Sequence, residues 1–244
     1  MQNNVKEMIL HLKQVATLMN ITVSEEQILL FGRYYEFLLE YNQKVNLTRI
    51  LEPQDVAVKH FGDSLALLAP NELPAGSLVA DIGTGAGFPG IPVAIMRPDI
   101  QVVLVDSLRK RTVFLSEAIQ LLDLRNVKVV WARAEDMGHN PAYRERFDVV
   151  LARAVASLNV LAELCLPLVK KGGIFLAMKG PKASEELLLA QGAISKLGGV
   201  LVSVETQELP LVGEVRTLIR ISKNKTTAAA YPRKAGIPER QPLS

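Results

Sequence analysis

A single cysteine, Cys165, stands in a chain of 244 residues, which excludes a disulfide within it and gives no sign of an oxidising compartment. No uninterrupted apolar run approaches the roughly 18 residues that cross a bilayer. Lys6, His11 and Lys13 break up the N-terminal stretch that a secretory signal would need. There is no internal repeat, and the only low-complexity patch is Ala228–Ala230. No His/Cys cluster has the spacing of metal ligands. The expectation from these absences is a soluble, cytoplasmic protein with no membrane partner and no metal; nothing requires a dimer, so a monomer is expected. Hydrophobic residues make up 49% of the chain and charged residues 22%. That is material for a sizeable buried core, not for disorder.

The net charge is only +3, but it is unevenly spread. From Arg216 onward there are seven bases (Arg216, Arg220, Lys223, Lys225, Arg233, Lys234 and Arg240) against one acid, Glu239. A basic end on a slightly acidic body reads either as a docking site for a polyanion or as a solvated tail.

The first part of the chain has helical periodicity. Val5, Met8, Ile9, Leu12, Val15 and Met19 recur at helical spacing. Ser24 with Gln27 three residues on forms a capping box for a second helix, which carries Ile28, Phe31, Tyr35, Leu38 and Leu39 inward. A third helix is expected from Pro53 through His60 towards Leu68, ending the segment near Pro70–Pro74.

From Ser77 the pattern changes. Apolar runs at Leu78–Ile82, Val102–Val105, Val127–Trp131, Val149–Leu151 and Ile174–Met178 alternate with helical stretches at Gly90–Met96, Arg109–Leu124, Ser157–Val169 and Lys182–Leu197. Apolar runs separated by helices indicate parallel strands buried on both faces. Two more strands, Val200–Glu205 and Glu214–Ile221, follow with no helix between them. A terminal antiparallel hairpin on a parallel sheet separates the methyltransferase variant of the doubly wound fold from the dehydrogenase one. The expected fold is therefore α/β, a Rossmann-like class I methyltransferase core with an N-terminal helical segment. Its expected divisions are residues 1–74 (helical), 75–222 (core) and 223–244 (basic extension).

The run Asp81-Ile82-Gly83-Thr84-Gly85-Ala86-Gly87-Phe88-Pro89-Gly90 leads from the first strand into a helix. Glycines there let the backbone turn tightly and approach a ligand closely. Dinucleotide dehydrogenases share that feature, but their G-x-G-x-x-G spacing needs glycine at 88, where this chain has Phe88. Asp81 also puts a carboxylate where a pyrophosphate would be repelled. S-adenosylmethionine has no phosphate and carries an ammonium and a sulfonium cation, so the residues favour it over a nicotinamide. Asp106 ends the second strand about 20 residues further on, where a carboxylate accepts hydrogen bonds from ribose hydroxyls. Arg109, Lys110 and Arg111 follow it and read as a helix start or an RNA-facing group. Ala134-Glu135-Asp136, after the third strand, reads either as the adenine subsite or as an acidic helix N-terminus. Arg153 falls after the fourth strand, where cofactor and substrate meet.

Other absences narrow the chemistry. Where an amine methyltransferase carries (Asp/Asn)-Pro-Pro-aromatic, this chain reads Ala152-Arg153-Ala154-Val155. Methylating a pyrimidine carbon takes a cysteine nucleophile, and Cys165 lies in the apolar helical stretch Leu161–Leu166, a core position. Guanine N7 has a free in-plane lone pair at neutral pH and needs no general base, so catalysis there reduces to proximity and orientation. No catalytic acid or base is expected, and positioning falls to Arg153 and to Lys179 at the end of the fifth strand. Lys179 reads equally as a solvated strand end. His60 and Asp63 read first as helix-surface or capping residues and second as pocket residues, and Trp131 reads as core.

Four motifs occur together in order: Asn42-Gln43-Lys44-Val45-Asn46-Leu47-Thr48, Lys59-His60-Phe61-Gly62-Asp63-Ser64-Leu65, the Asp81–Gly90 run, and Tyr231-Pro232-Arg233-Lys234-Ala235-Gly236-Ile237-Pro238. They resemble the bacterial ribosomal RNA small-subunit methyltransferase G family, also called the glucose-inhibited division protein B family. The resemblance covers nearly the whole chain. It implies N7 methylation of one guanine in 16S rRNA of the small ribosomal subunit, near the decoding site. It also implies that Gly83, Phe88, Ala134, Glu135 and Arg153 contact S-adenosylmethionine, with Asp106 at its ribose. Asp81, Gly85 and Gly87 complete the expected cofactor site, and Arg216, Arg233 and Lys234 are the expected grips on RNA phosphates.

Overall fold

A computed structural model describes residues 2–68, 72–153 and 155–244. Pro70, at the expected end of the N-terminal segment, and Ala154, in the stretch after the fourth strand, lie outside the described residues. Helix α1 (Gln2–Leu18) buries Met8, Leu12, Val15 and Ala16 along one stripe. Helix α2 (Glu25–Asn42) starts at the expected capping box: Ser24 Oγ accepts from the Gln27 N–H at 3.2 Å, and Gln27 Oε1 accepts from the Ser24 N–H at 2.9 Å. The helix expected after Pro53 is present but not uniform. It comprises α3 (Pro53–Asp55), a π-helical segment (Val56–Gly62), α4 (Asp63–Leu65) and a 3₁₀ turn (Ala66–Leu68). π turns cluster at functional sites because they re-aim side chains, and this one carries His60 and leads directly into Asp63.

Seven strands form one sheet: β1 (Leu78–Ile82), β2 (Gln101–Asp106), β3 (Val127–Trp131), β4 (Phe147–Arg153), β5 (Val169–Lys179), β6 (Gly199–Glu208) and β7 (Val215–Lys223). Their order is β3-β2-β1-β4-β5-β7-β6, with β1 to β5 parallel and β7 antiparallel to both β5 and β6. The antiparallel hairpin on a parallel sheet is therefore present as expected. Helices α5 (Gly90–Met96), α6 (Arg109–Leu121), α7 (Ala134–His139), α8 (Leu158–Cys165), α9 (Ala183–Lys196) and α10 (Ile237–Arg240) complete the order.

Two apolar clusters flank the sheet. One joins α1, α2 and the helical run after Pro53 to Val79, Leu104, Val149 and Leu176, so the N-terminal segment shares its core with the sheet. The other packs α8 and α9 against Ala80, Val103, Val150 and Phe175, with Cys165 fully buried as the sequence suggests. Trp131 departs from expectation: β3 is an edge strand, and the indole is 59% exposed. The helix expected over Ser157–Val169 ends at Cys165, because the chain has already turned into a strand at Val169. β5 is correspondingly longer than the apolar run Ile174–Met178.

The expected basic extension is not a free tail. Arg144 donates to the carbonyls of Thr227 (2.7 Å) and Tyr231 (2.8 Å), and Asn159 donates to Leu243 O at 3.1 Å. Of the seven bases after Leu209, four are paired inside the molecule: Arg216 with Glu214, Arg220 with Glu72, Lys223 with Glu145 and Arg233 with Glu163.

The glycine loop depends on one residue in particular. Gly87 sits at φ +90°, and a Cβ there would lie 2.5 Å from Ile91 Cδ1 and 2.7 Å from Tyr34 Oη. Gly87→Ala is expected to cost about 1–3 kcal/mol of stability through strain at that φ. It should also weaken cofactor binding. Denaturant unfolding alongside a cofactor titration checks both.

Candidate active site

In a doubly wound sheet, ligands bind at the carboxyl ends of the strands where the order reverses. Here the reversal lies between β1 and β4, on either side of which β2 and β5 continue the sheet. Three adjoining pockets occupy that edge. The first, about 210 Å³, is lined by Gly83, Asp106, Ala134 and Glu135 together with Val155, Pro238 and Glu239. The second, about 490 Å³, includes His60, Asp63, Arg153, Lys179 and Arg216. A third, about 210 Å³, joins them; Gly83 belongs to it and to the first, His60 and Arg153 to it and to the second.

Asp81 is fully buried, and its Oδ2 accepts from Thr84 Oγ1 (2.6 Å) and the Gly90 N–H (2.8 Å). Its carboxylate thus ties the glycine loop to the start of α5 and lies within the loop, not on a pocket wall. Burial pushes its pKa up to about 6 against the opposing pull of those two bonds. Tyr34, from α2, donates from its hydroxyl to Ala86 O in the same loop, so the N-terminal segment helps hold it.

Asp106 is buried at the pocket rim. It accepts from the Gly85 N–H at 3.0 Å, the Leu108 N–H at 2.8 Å and Arg111 Nη1 at 3.3 Å. Ala134 and Glu135 open helix α7, so the acidic helix start is realised at the pocket wall itself. Glu135 Oε1 accepts from the Gly236 N–H at 3.0 Å, which draws the C-terminal segment over the pocket.

Arg153 links the pockets. Its Nη1 donates to Lys59 O and to Asp63 Oδ2, both at 3.0 Å, and Nη2 lies 3.3 Å from His60 Nδ1. The guanidinium carbon sits 5.3 Å from the centre of the Phe88 ring, on which His60 is stacked at 4.3 Å and 15°. The reading of His60 and Asp63 as helix-surface groups is therefore overturned: both are buried, and both line the larger pocket. The π segment is what turns them there, and nothing in their spacing announces it.

The remaining expected residues are placed as follows. Lys179 Nζ donates to Ala156 O and pairs with Glu186, each at 2.7 Å, so it is buried and paired, not a solvated strand end. Arg216 lines the larger pocket, paired with Glu214 at 2.9 Å and lying 3.5 Å from Asp63. Lys234 is exposed. Arg233 is held by Glu163 and by Gln241 O at 2.7 Å, and its guanidinium lines none of the three pockets. Sequence reasoning did not foresee Tyr34, Val155, Pro238 or Glu239 at the site; of these only Pro238 falls in one of the four motifs, as the last residue of Tyr231–Pro238.

Burial, then the neighbouring Arg153 charge, lowers the His60 pKa to about 3. The ring is therefore neutral at ordinary pH, with Nε2 3.0 Å from Thr48 Oγ1. An NMR titration should show no His60 inflection near the ordinary value of 6.5. The linkage sign follows: this group favours folding above pH 6.5, and its contribution is lost as pH falls towards about 3.

The residues fit a cationic nucleoside. Asp106, Glu135 and Glu239 put three carboxyl groups on a slot that is also lined by the apolar Ile82, Val105, Val160 and Leu164. A Cβ on Gly83 would meet Val155 Cγ2 at 2.6 Å, so the slot keeps its width only with glycine there. Among the described residues no group of three or more His, Cys, Asp or Glu side chains is placed to hold a metal ion. No helix among them is long and apolar enough to cross a membrane.

Comparison with known proteins gives the same direction. The family model described as rRNA small subunit methyltransferase G matches residues 27–212. Ribosomal RNA small subunit methyltransferase G of Desulforamulus reducens is 50% identical over 96% of this chain and 97% of its own. The protein of the same name from Pelotomaculum thermopropionicum is 49% identical over 95% and 97%. Among solved structures, TYW2 of P. horikoshii in complex with MeSAdo aligns with a TM-score of 0.52 at 15% identity, covering 68% of this chain and 63% of that one. TrmN from Thermus thermophilus aligns with a TM-score of 0.52 at 22% identity, covering 67% of this chain and 48% of that one. At such identities these structures speak to the fold alone.

Proposed function

The chain belongs to the rRNA small subunit methyltransferase G family, and from that premise we infer that it transfers a methyl group from S-adenosylmethionine to N7 of one guanine in 16S rRNA of the small ribosomal subunit. The observation that carries the reading at the site is the junction at Arg153. One side chain borders both the larger basic pocket and the space beside the glycine loop.

The cofactor supplies, when bound, an electrophilic methyl on a sulfonium. The loop residues Gly83, Gly85, Gly87 and Phe88, with Asp106, Ala134 and Glu135, hold it. Asp81 serves it indirectly, by fixing the loop. The target guanine enters the larger pocket, whose charged groups Asp63, Arg153 and Arg216 are mutually paired and orient the base without accepting its proton. N7 needs none removed, so holding its lone pair in line with the methyl suffices. The neutral, hydrogen-bonded His60 supports this, since its ring nitrogens are both engaged. Phosphate contacts, which position without specifying, fall to Arg216 in the larger pocket and to the exposed Lys234. The role expected of Arg233 as an RNA grip is withdrawn in favour of a structural one. Activity should fall steeply with added salt.

The test is methyl transfer from labelled S-adenosylmethionine to small subunits from a strain lacking this gene, followed by identification of the labelled nucleotide. Label on N7 of a single guanine is the expected result. Label on another atom overturns the regiochemistry. No label, with cofactor binding intact, overturns the acceptor.

A further inference from the structure

We infer that Trp131 is a stacking platform for an RNA base flanking the methylated nucleotide, set in a basic rim beside the cofactor pocket. The inference rests on the RNA acceptor proposed above and deepens it.

The first observation is exposure. The chain has one tryptophan, and its ring is 59% exposed, while Val127 and Val129, which share its face of β3, are half-buried against the core. The exposed ring is also held still. Nε1–H donates to Ser107 O at 3.0 Å, and Arg109 lies over the ring with its guanidinium carbon 5.3 Å from the centroid. A fixed, solvent-facing indole with a cation on it is preorganised for stacking and contributes little to the core.

The second observation is position. Trp131 pairs in register with Asp106, at the carboxyl end of the sheet, where Asp106 lines the cofactor pocket. β3 lies two strands from β1, about 10 Å across the sheet, close enough for a neighbouring nucleotide of a bound strand. Trp131 itself is not on the pocket wall, so the cofactor does not account for it.

The third is charge. Arg109, Lys110 and Arg133 are exposed and form no ion pair among the described residues. Of the acids on the same two loops, Asp106 is buried and paired with Arg111, and Glu135 is buried, which leaves Asp136 exposed beside three bases. Bases around an exposed aromatic ring are how unpaired RNA is gripped: cations take the phosphates and the ring takes a base face.

Because Trp131 is the sole tryptophan, fluorescence excited beyond the tyrosine absorption band reports on this ring alone. The wild-type protein, saturated with S-adenosylhomocysteine, is titrated with a short single-stranded oligoribonucleotide carrying the target guanine and its neighbours. Quenching that weakens with salt is expected. On small subunits, Trp131→Ala should raise KM about tenfold, within the range of one lost base stack, with kcat, cofactor affinity and melting temperature unchanged. Trp131→Phe should recover most of the loss. Methylation by the wild type with unquenched fluorescence, an unchanged KM in Trp131→Ala, or full quenching by cofactor alone would each overturn the inference. A wild-type protein that methylates no rRNA at all would instead sink the proposed acceptor.

Discussion

Replacing Arg233 by alanine is expected to lower the free energy of unfolding by about 3–5 kcal/mol, the range for leaving a buried charge without its partner. Glu163, on α8, is completely buried. It receives Arg233 Nε at 2.9 Å, Nη2 at 2.6 Å and the Arg233 backbone N–H at 2.8 Å. After the substitution only the backbone N–H remains for a carboxylate that is completely buried when Arg233 is in place. Because the segment that follows supplies Pro238 and Glu239 to the cofactor pocket, cofactor affinity should fall with stability. Denaturant unfolding and a cofactor titration measure the two. The pair Glu163→Gln with Arg233→Met should lose much less than Arg233→Ala alone, since no buried charge is left behind. A loss below about 1 kcal/mol in Arg233→Ala, together with weaker rRNA binding, would restore Arg233 as an RNA contact.

That case marks where the sequence is legible and where it is not. Strand β1 and helix α5 match their expected bounds, because a buried parallel strand is a short apolar run and α5 begins where the glycine loop stops; β3 matches too, although at the sheet edge it is only half-buried. The loop and Asp106 were also legible, since tight turns and strand ends leave local residue signatures. Arg233 is different: whether a basic residue faces solvent or a buried carboxylate depends on Glu163, 70 positions away. Charge counting registers seven bases after Leu209 but not that four are paired internally. Trp131 was misread for a related reason: an apolar run does not reveal which strand ends at the sheet edge. His60 and Asp63 reach the site through a π segment, and a change of helical phase has no periodic signal in seven residues.

The same long-range pairing makes Arg153 the residue whose loss should cost most activity. Arg153→Ala is expected to lower kcat/KM at least about 100-fold, because a small misplacement of reacting groups is enough for that. Four contacts converge on its guanidinium: Lys59 O, Asp63, His60 and the Phe88 ring. Lysine would supply the charge but not the planar fork, so Arg153→Lys should recover little. Two readouts separate positioning from collapse of the fold. If Arg153 orients the acceptor, kcat falls while the protein still melts cooperatively and binds cofactor. Removing its charge also removes one cause of the depressed His60 pKa, leaving burial alone. His60 should then protonate at a higher pH in the variant, and residual activity should drop on the acid side, where the wild type holds steady. Near-normal kcat/KM in Arg153→Ala would mean that the junction between the pockets does not orient the base. The acceptor would then have to be held by Arg216 and Asp63 alone.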